Sequence, residues 1–332
     1  MSIHEQDPAV LAEVALTDLL APASSANSFL MDVLTGMSQP QKQIPCKYLY
    51  DQRGSQLFDQ ICELDEYYLT RTEVSIMKKK AGEMATACGP GCMLVEFGSG
   101  SSVKTRYLLD ELESPAAYVP IDISRDHLID SACSIAESYP GLEVLPVCAD
   151  FTQPIHLPDS MIEPQRRVAY FPGSTLGNFD PAFQKQFFQQ TREMVGPSGG
   201  LLIGADLKKD RATLEAAYDD REGVTREFNY NLLRRINREL EADFDPQKFR
   251  YQATYQEEPG RVEMVLISRE KQQVRIAEEF FDLEKGEAIL TEHSYKFDRQ
   301  SMQELGHQTG WELKAMWTDP QDLFGIYYLE AK

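Results

Sequence analysis

The chain has 332 residues, 42% of them hydrophobic, and a formal charge of −20 at neutral pH. That length and apolar content suit one large globular domain, or a core with a smaller added part, and exclude a disordered polymer. The acidic surplus, 53 Asp and Glu against 33 Lys and Arg, argues against a nucleic-acid partner, because phosphate contacts need clustered basic side chains. Lys78-Lys79-Lys80 and Arg234-Arg235 lie in helix-like segments and read as solvated faces. No stretch reaches membrane-spanning length, and no basic region leads into an apolar one at the N-terminus. Cys88 and Cys92 have no second pair and the histidines no ligand spacing, so no metal centre is expected. A cytoplasmic, metal-free monomer with no membrane or nucleic-acid partner is the expectation.

In chain order, residues 1–25 are small and polar and read as a flexible N-terminus. Residues 26–88 alternate helix-like segments with an aromatic connector and read as the N-terminal helical part of a substrate-binding region. Residues 89–210 alternate strand and helix patterns, which predicts an α/β core with a parallel sheet. Its strands are expected at MLVEF, AAYVPID, LEVLPVCADF, VAYFPGSTLGNF and GGLLIGADL, with a helix near PAFQKQFFQQTREM. Residues 211–243 look helical. FRYQATYQ, RVEMVLIS, QQVRIAEEFFDL and AILTEHSYKF read as antiparallel strands, so 211–297 is expected to form a smaller α+β substrate-binding or lid insertion. Residues 298–332, a helix and two strands, are expected to complete the core sheet.

The stretch MLVEFGSGSSVK is the most informative. An apolar run ends at Glu96, and the chain turns through Gly98 and Gly100 into Ser101, Ser102 and a helix-like segment. A strand, glycine turn and helix start bring backbone close to a nucleotide-like ligand. Val103 stands where a dinucleotide site has its third glycine, so a nucleoside without phosphates, such as S-adenosylmethionine, fits better than a pyrophosphate. The next strand ends at Asp122, about twenty residues on, where such folds place a carboxylate on the ribose hydroxyls. The third ends at Asp150-Phe151, an acceptor and an aromatic suited to an adenine ring. Each acid alone is a common strand-end cap; three strand ends with the right polar group point to a methyltransferase-type nucleoside site in a Rossmann-like class I core.

The blocks KYLYDQRGSQLFDQICELDEYYLTRTE, LVEFGSGSSVKTRYLLD, YVPIDIS, FPGSTLGNF, AYDDREGVTREFN, RVEM and LTEHSYKF fall in order from about residue 44 onward. Together they resemble the histidine-specific N-alpha-methyltransferases of ergothioneine biosynthesis. The resemblance implies transfer of three methyl groups from S-adenosylmethionine to the α-amino group of L-histidine, giving hercynine. It carries cofactor contacts onto Tyr67, Gly98, Lys104, Asp122, Asp150 and Phe151. It carries amino-acid contacts onto Tyr67, Gly173, Asn178, Tyr218, Met264, Glu292, His293 and Ser294, although His293 departs from the family's pattern at that position. Tyr50 matches a tyrosine near the reacting amine, and Tyr50 and Asn178 are the catalytic candidates, as groups that orient it.

Glu292 and Ser294 are two apart in a strand-like segment and leave one face. A carboxylate accepts from one imidazole nitrogen and a hydroxyl adapts to the other. Phe58 and Phe228 lie in matching blocks and suit a trimethylated cation, although aromatics at such spacing are more often core. Two other readings stay open: an N-methyltransferase for another amino acid or biogenic amine, decided at Met264 and Glu292, and a non-catalytic nucleoside-binding module.

Overall fold

Cys92–Phe97 is apolar at all but one position and buried along its whole length, as a central parallel strand covered on both faces must be. The computed structural model describes residues 16–20, 25–100 and 102–332. Most of the N-terminal stretch expected to be flexible, and Ser101 of the glycine turn, lie outside the described residues. In chain order the elements are β1 (Thr17–Asp18), α1 (Ser25–Met37), α2 (Gln52–Glu63), α3 (Leu69–Cys88), β2 (Cys92–Phe97), α4 (Val103–Leu109) and β3 (Ala117–Asp122). Next come α5 (Arg125–Ser138), β4 (Val147–Cys148), β5 (Arg166–Phe171), α6 (Pro181–Val195), β6 (Gly200–Asp206), α7 (Arg211–Tyr218) and α8 (Val224–Glu239). The chain finishes with β7 (Phe249–Gln256), β8 (Arg261–Ser268), β9 (Gln272–Ile276), β10 (Glu279–Leu283), β11 (Ala288–Tyr295), α9 (Arg299–Gln308), β12 (Trp311–Thr318) and β13 (Phe324–Ala331).

Eight strands form one sheet in the order β1-β4-β3-β2-β5-β6-β13-β12. The first six pair in parallel, and β13 closes antiparallel on β6 with β12 outside it. This is the Rossmann-like α/β architecture. Side chains alternate between the two faces: Met93, Val95 and Phe97 join the apolar cluster that contains Phe187 and Phe188 of α6 and Met302 of α9. Cys92 and Leu94 join the opposite cluster with Ile76, Met77 and Met84 of α3. From β2 the strand order runs one way through β3 and β4 and the other way through β5 and β6. The carboxyl ends of β2 and β5 therefore flank a topological switch point, where open α/β sheets bind ligands.

The antiparallel segment builds a separate three-stranded sheet, β11-β8-β7. QQVRIAEEFFDL, expected as one strand, is instead a hairpin, β9 paired with β10. Its turn places Ala277 at φ 50°, a left-handed conformation usually marked by Gly or Asn, so the sequence gives no warning of it. Among the described residues no helix is long and apolar enough to cross a membrane.

Candidate active site

The loops after β2, β3, β4 and β5 meet at the switch point. Gly98 and Gly100 have φ of 66° and 48°, and a Cβ on Gly98 would reach to 3.8 Å from the Phe151 ring. Asp122, at the end of β3, accepts from the Gly100 amide (3.3 Å) with one oxygen and the Ser124 amide (2.9 Å) with the other. Asp150 accepts from the Thr152 amide and hydroxyl at 2.9 and 2.6 Å, and Phe151 packs on Phe97 and Phe171. The third-glycine gap is handled by Ser102, which takes a left-handed φ of 51° and bonds Tyr118 and Ser131 through Oγ. Ser99 Oγ is buried without a partner. Two open glycines, a strand-end carboxylate beside them and an orphan hydroxyl form a cradle that fits an adenosyl group.

Lys104, also expected on the cofactor, donates to Glu73 Oε2 at 2.6 Å. Glu73 is fully buried and also accepts from the Gly173 amide at 3.0 Å. The turn after β5 and the start of α4 are thus tied through one carboxylate of α3. Beneath them Glu96 accepts from Thr105 (2.6 Å) and Tyr118 (2.5 Å). Burial pushes its carboxyl up to about 7 against those two donors.

On the amino-acid side, Asn178 ends the 3₁₀ turn Thr175–Asn178 and donates to Glu292 Oε1 at 2.8 Å. That turn lies against β11: a Cβ on Gly177 would sit 2.7 Å from the Tyr295 carbonyl oxygen, so only glycine permits the approach. Met264 is the cross-strand partner of Glu292, and Tyr218, at the end of α7, shares a hydrogen bond with Ser294 at 3.0 Å. Burial raises the Glu292 carboxyl to about 8, with Lys296 pulling the other way. His293 is not brought to this group. It leaves β11 on the other face, its ring 5.2 Å from that of Tyr295, and Nε2 is buried without a partner.

Tyr50 follows the 3₁₀ turn Cys46–Leu49. The next residue, Asp51, caps α2 through the Gly54 amide and accepts from Asn231 and Arg238 of α8, which fixes Tyr50 between the two helices. Its ring meets the rings of Phe58 (5.4 Å) and Phe228 (5.3 Å) edge-on. Phe58 in turn contacts Tyr67, and Tyr67 contacts Tyr218. These five rings form a continuous aromatic wall beside Glu292 and Ser294.

Sequence reasoning missed Glu73, Asp206 and Lys296. Asp206 and Lys296 pair at 2.7 Å with both side chains fully buried. Tyr68 donates to the Asp206 carboxylate at 2.8 Å, and Lys209 binds it at 2.6 Å. Lys296 lies one further alternation beyond Glu292 and Ser294, and Asp206 is a strand-end acid like Asp122, so both carried a readable signal. Glu73, inside a mixed helical segment, carried none.

A model of histidine-specific, SAM-dependent methyltransferases matches residues 29–331. The "Histidine N-alpha-methyltransferase" of Mycolicibacterium smegmatis is 40% identical over 320 residues, 94% of this chain and 98% of that protein. That of Mycobacterium tuberculosis is 41% identical over 300 residues, 89% and 92% of the two chains. "Ergothioneine biosynthesis protein 1" of Neurospora crassa is 30% identical over 308 residues, which is 89% of this chain but 34% of that longer protein. The match takes in both the glycine turn with its strand-end acids and the strands bearing Met264 and Glu292, so it reaches well past the generic sheet. The chain belongs to the histidine-specific, S-adenosylmethionine-dependent methyltransferases.

Proposed function

We propose that the protein transfers methyl groups from S-adenosylmethionine to the α-amino group of L-histidine, three in succession, giving hercynine for ergothioneine biosynthesis. The observation that carries this reading is the direct linkage of the two imagined imidazole readers to the two backbone readers: Asn178 to Glu292 and Tyr218 to Ser294. Side chains from three distant parts of the chain converge there, with Glu292 and Ser294 one alternation apart on β11 and Glu292 opposite Met264.

When bound, the cofactor supplies a methyl group on a positively charged sulfur. Gly98, Asp122, Asp150 and Phe151 would hold its nucleoside, with Lys104 and Tyr67 toward the reacting end. Glu292 and Ser294 take the imidazole, while Asn178 and Tyr218 hold the zwitterion's backbone groups. Tyr50 orients the amine. Rate enhancement then rests on alignment and on an unprotonated amine, since no covalent intermediate is needed. The wall of Tyr50, Phe58 and Phe228 accepts the growing cation, which loses its hydrogen-bond donors with each step but keeps its charge.

The site residues named here come from one chain, so a monomer suffices. The free state of all six cysteines suits a reducing cytoplasm, and the acidic charge suits a small-molecule substrate rather than nucleic acid. Mass spectrometry of L-histidine incubated with protein and methyl donor tests the reading. A gain of three methyls, all on the α-nitrogen, is expected; methylation of the ring, or none, overturns it.

A further inference from the structure

Among the described residues, Lys296 is the cation that reaches the imidazole end of the proposed substrate pocket from inside the protein. Its ammonium donates to Asp206 Oδ2 at 2.7 Å, to Tyr218 Oη at 2.8 Å and to Ser294 Oγ at 2.9 Å. An ammonium has three protons and accepts nothing, so its hydrogen-bonding capacity is fully used. Tyr218 and Ser294 also bond each other at 3.0 Å. Of the two hydroxyls the phenol is the more acidic and the poorer acceptor, so Tyr218 donates and Ser294 accepts. Both lone pairs of Ser294 Oγ are then filled, one by Lys296 and one by Tyr218. Only its own hydrogen is left to point outward.

We infer that Lys296 is a positioning residue that makes Ser294 a hydrogen-bond donor only, so that the pocket takes a neutral imidazole, its bare nitrogen toward Ser294 and its N–H toward an ionised Glu292. The inference rests on the histidine reading proposed above and replaces the adaptable hydroxyl expected from the sequence with one of fixed polarity. An imidazolium has two N–H donors and would face a serine with no lone pair to offer.

The charges around the group agree. Asp206 of β6 meets two ammoniums, Lys296 and Lys209, with the Tyr68 hydroxyl also donating to it. Buried Asp319 also acts on Lys209 and offsets the second ammonium. Lys296, held by Asp206, is the group that draws Glu292 toward its charged form.

The decisive measurement is the nitrogen NMR spectrum of ring-labelled L-histidine bound to the wild-type protein with S-adenosylhomocysteine, at about pH 5.5. Free histidine is then roughly ten parts protonated to one neutral. One protonated and one bare ring nitrogen in the bound ligand is the expected result, and two protonated nitrogens overturn the inference. Histidine that fails to bind at all overturns the underlying reading instead. In Lys296→Met, Asp206 keeps Lys209 and Tyr68, and Ser294 regains a lone pair. Calorimetry should find histidine affinity at pH 7.5 weakened about tenfold with S-adenosylhomocysteine affinity changed less than about twofold, and histidine bound at pH 5.5 should now carry two ring protons. Equal loss of both affinities would mark Lys296 as merely structural. The wild-type spectrum decides the matter whatever the variant's stability.

Discussion

Glu292 is held where burial favours its neutral form, up to about 8, while Lys296 favours the anion. An imidazole N–H arriving beside it tips the balance to the carboxylate. Below about pH 8 the empty site therefore holds a proton that bound histidine displaces. At pH 7 calorimetry in buffers of different ionisation heat should register proton release from the wild type, and Glu292→Gln should release less; equal release would mean that Glu292 keeps its proton. Removing the group altogether leaves an imidazole donor unpaired in a buried site, which costs about 1 to 3 kcal/mol. Glu292→Ala should thus weaken histidine binding about ten- to a hundredfold and leave S-adenosylhomocysteine binding nearly intact, and equal loss of both would contradict the assignment. At this scale the positions were readable where a polar group ends a strand or alternates along one, as Asp122 ends β3 and Glu292 and Ser294 alternate along β11, whereas Asp150 falls two residues past the short β4. Lys296 obeyed the same alternation, but a lysine on a strand ordinarily reaches water. Only the meeting with Asp206, ninety residues earlier in the chain, explains its burial.

At the scale of elements, the glycine turn is the clearest case of legibility and of its limit. Gly98 and Gly100 announced the turn, yet the left-handed step that ends it falls on Ser102, held by Tyr118 and Ser131. The strand before it carries Glu96 one residue from its end, and Glu96 pins α4 to β3 through Thr105 and Tyr118. Because its folded value, about 7, lies above the ordinary glutamate value, its contribution to stability is full below about pH 4.5 and is lost as pH rises through 7. The stability of the wild type relative to Glu96→Gln should therefore fall by up to about 3 kcal/mol between pH 4.5 and 8. Denaturant melts of both proteins at the two pH values check this, and a constant difference would contradict it. Asp122 bonds the glycine turn, and in the proposed reading it also holds the nucleoside, so Asp122→Ala should raise the cofactor's dissociation constant by about tenfold or more while histidine's intrinsic affinity changes little. Unchanged cofactor affinity would refute that placement. The β9–β10 hairpin escaped notice because its turn is made by Ala277 and Glu278, neither a turn former.

Over the whole molecule, the strand order places the carboxyl ends of β2 and β5 together, and the site follows from that topology. The parallel core was legible because continuous apolar runs separated by helical patterns have few other solutions. The pairing of the two-residue β1 with β4 was not, since so short a strand has no periodicity to read. We take residues 26–88 and 211–297 as the substrate-binding part, because Tyr50, Tyr67, Tyr218, Met264 and Glu292 all come from them and from no core strand. The arrangement requires an amino acid gripped by its ring and its backbone at once, with its amine left facing the cofactor. A crystal structure of the protein with S-adenosylhomocysteine and L-histidine measures this directly. The ring is predicted between Glu292 and Ser294 and the α-nitrogen in line with the cofactor's sulfur; a ring bound elsewhere, or an amine turned away from sulfur, would contradict it.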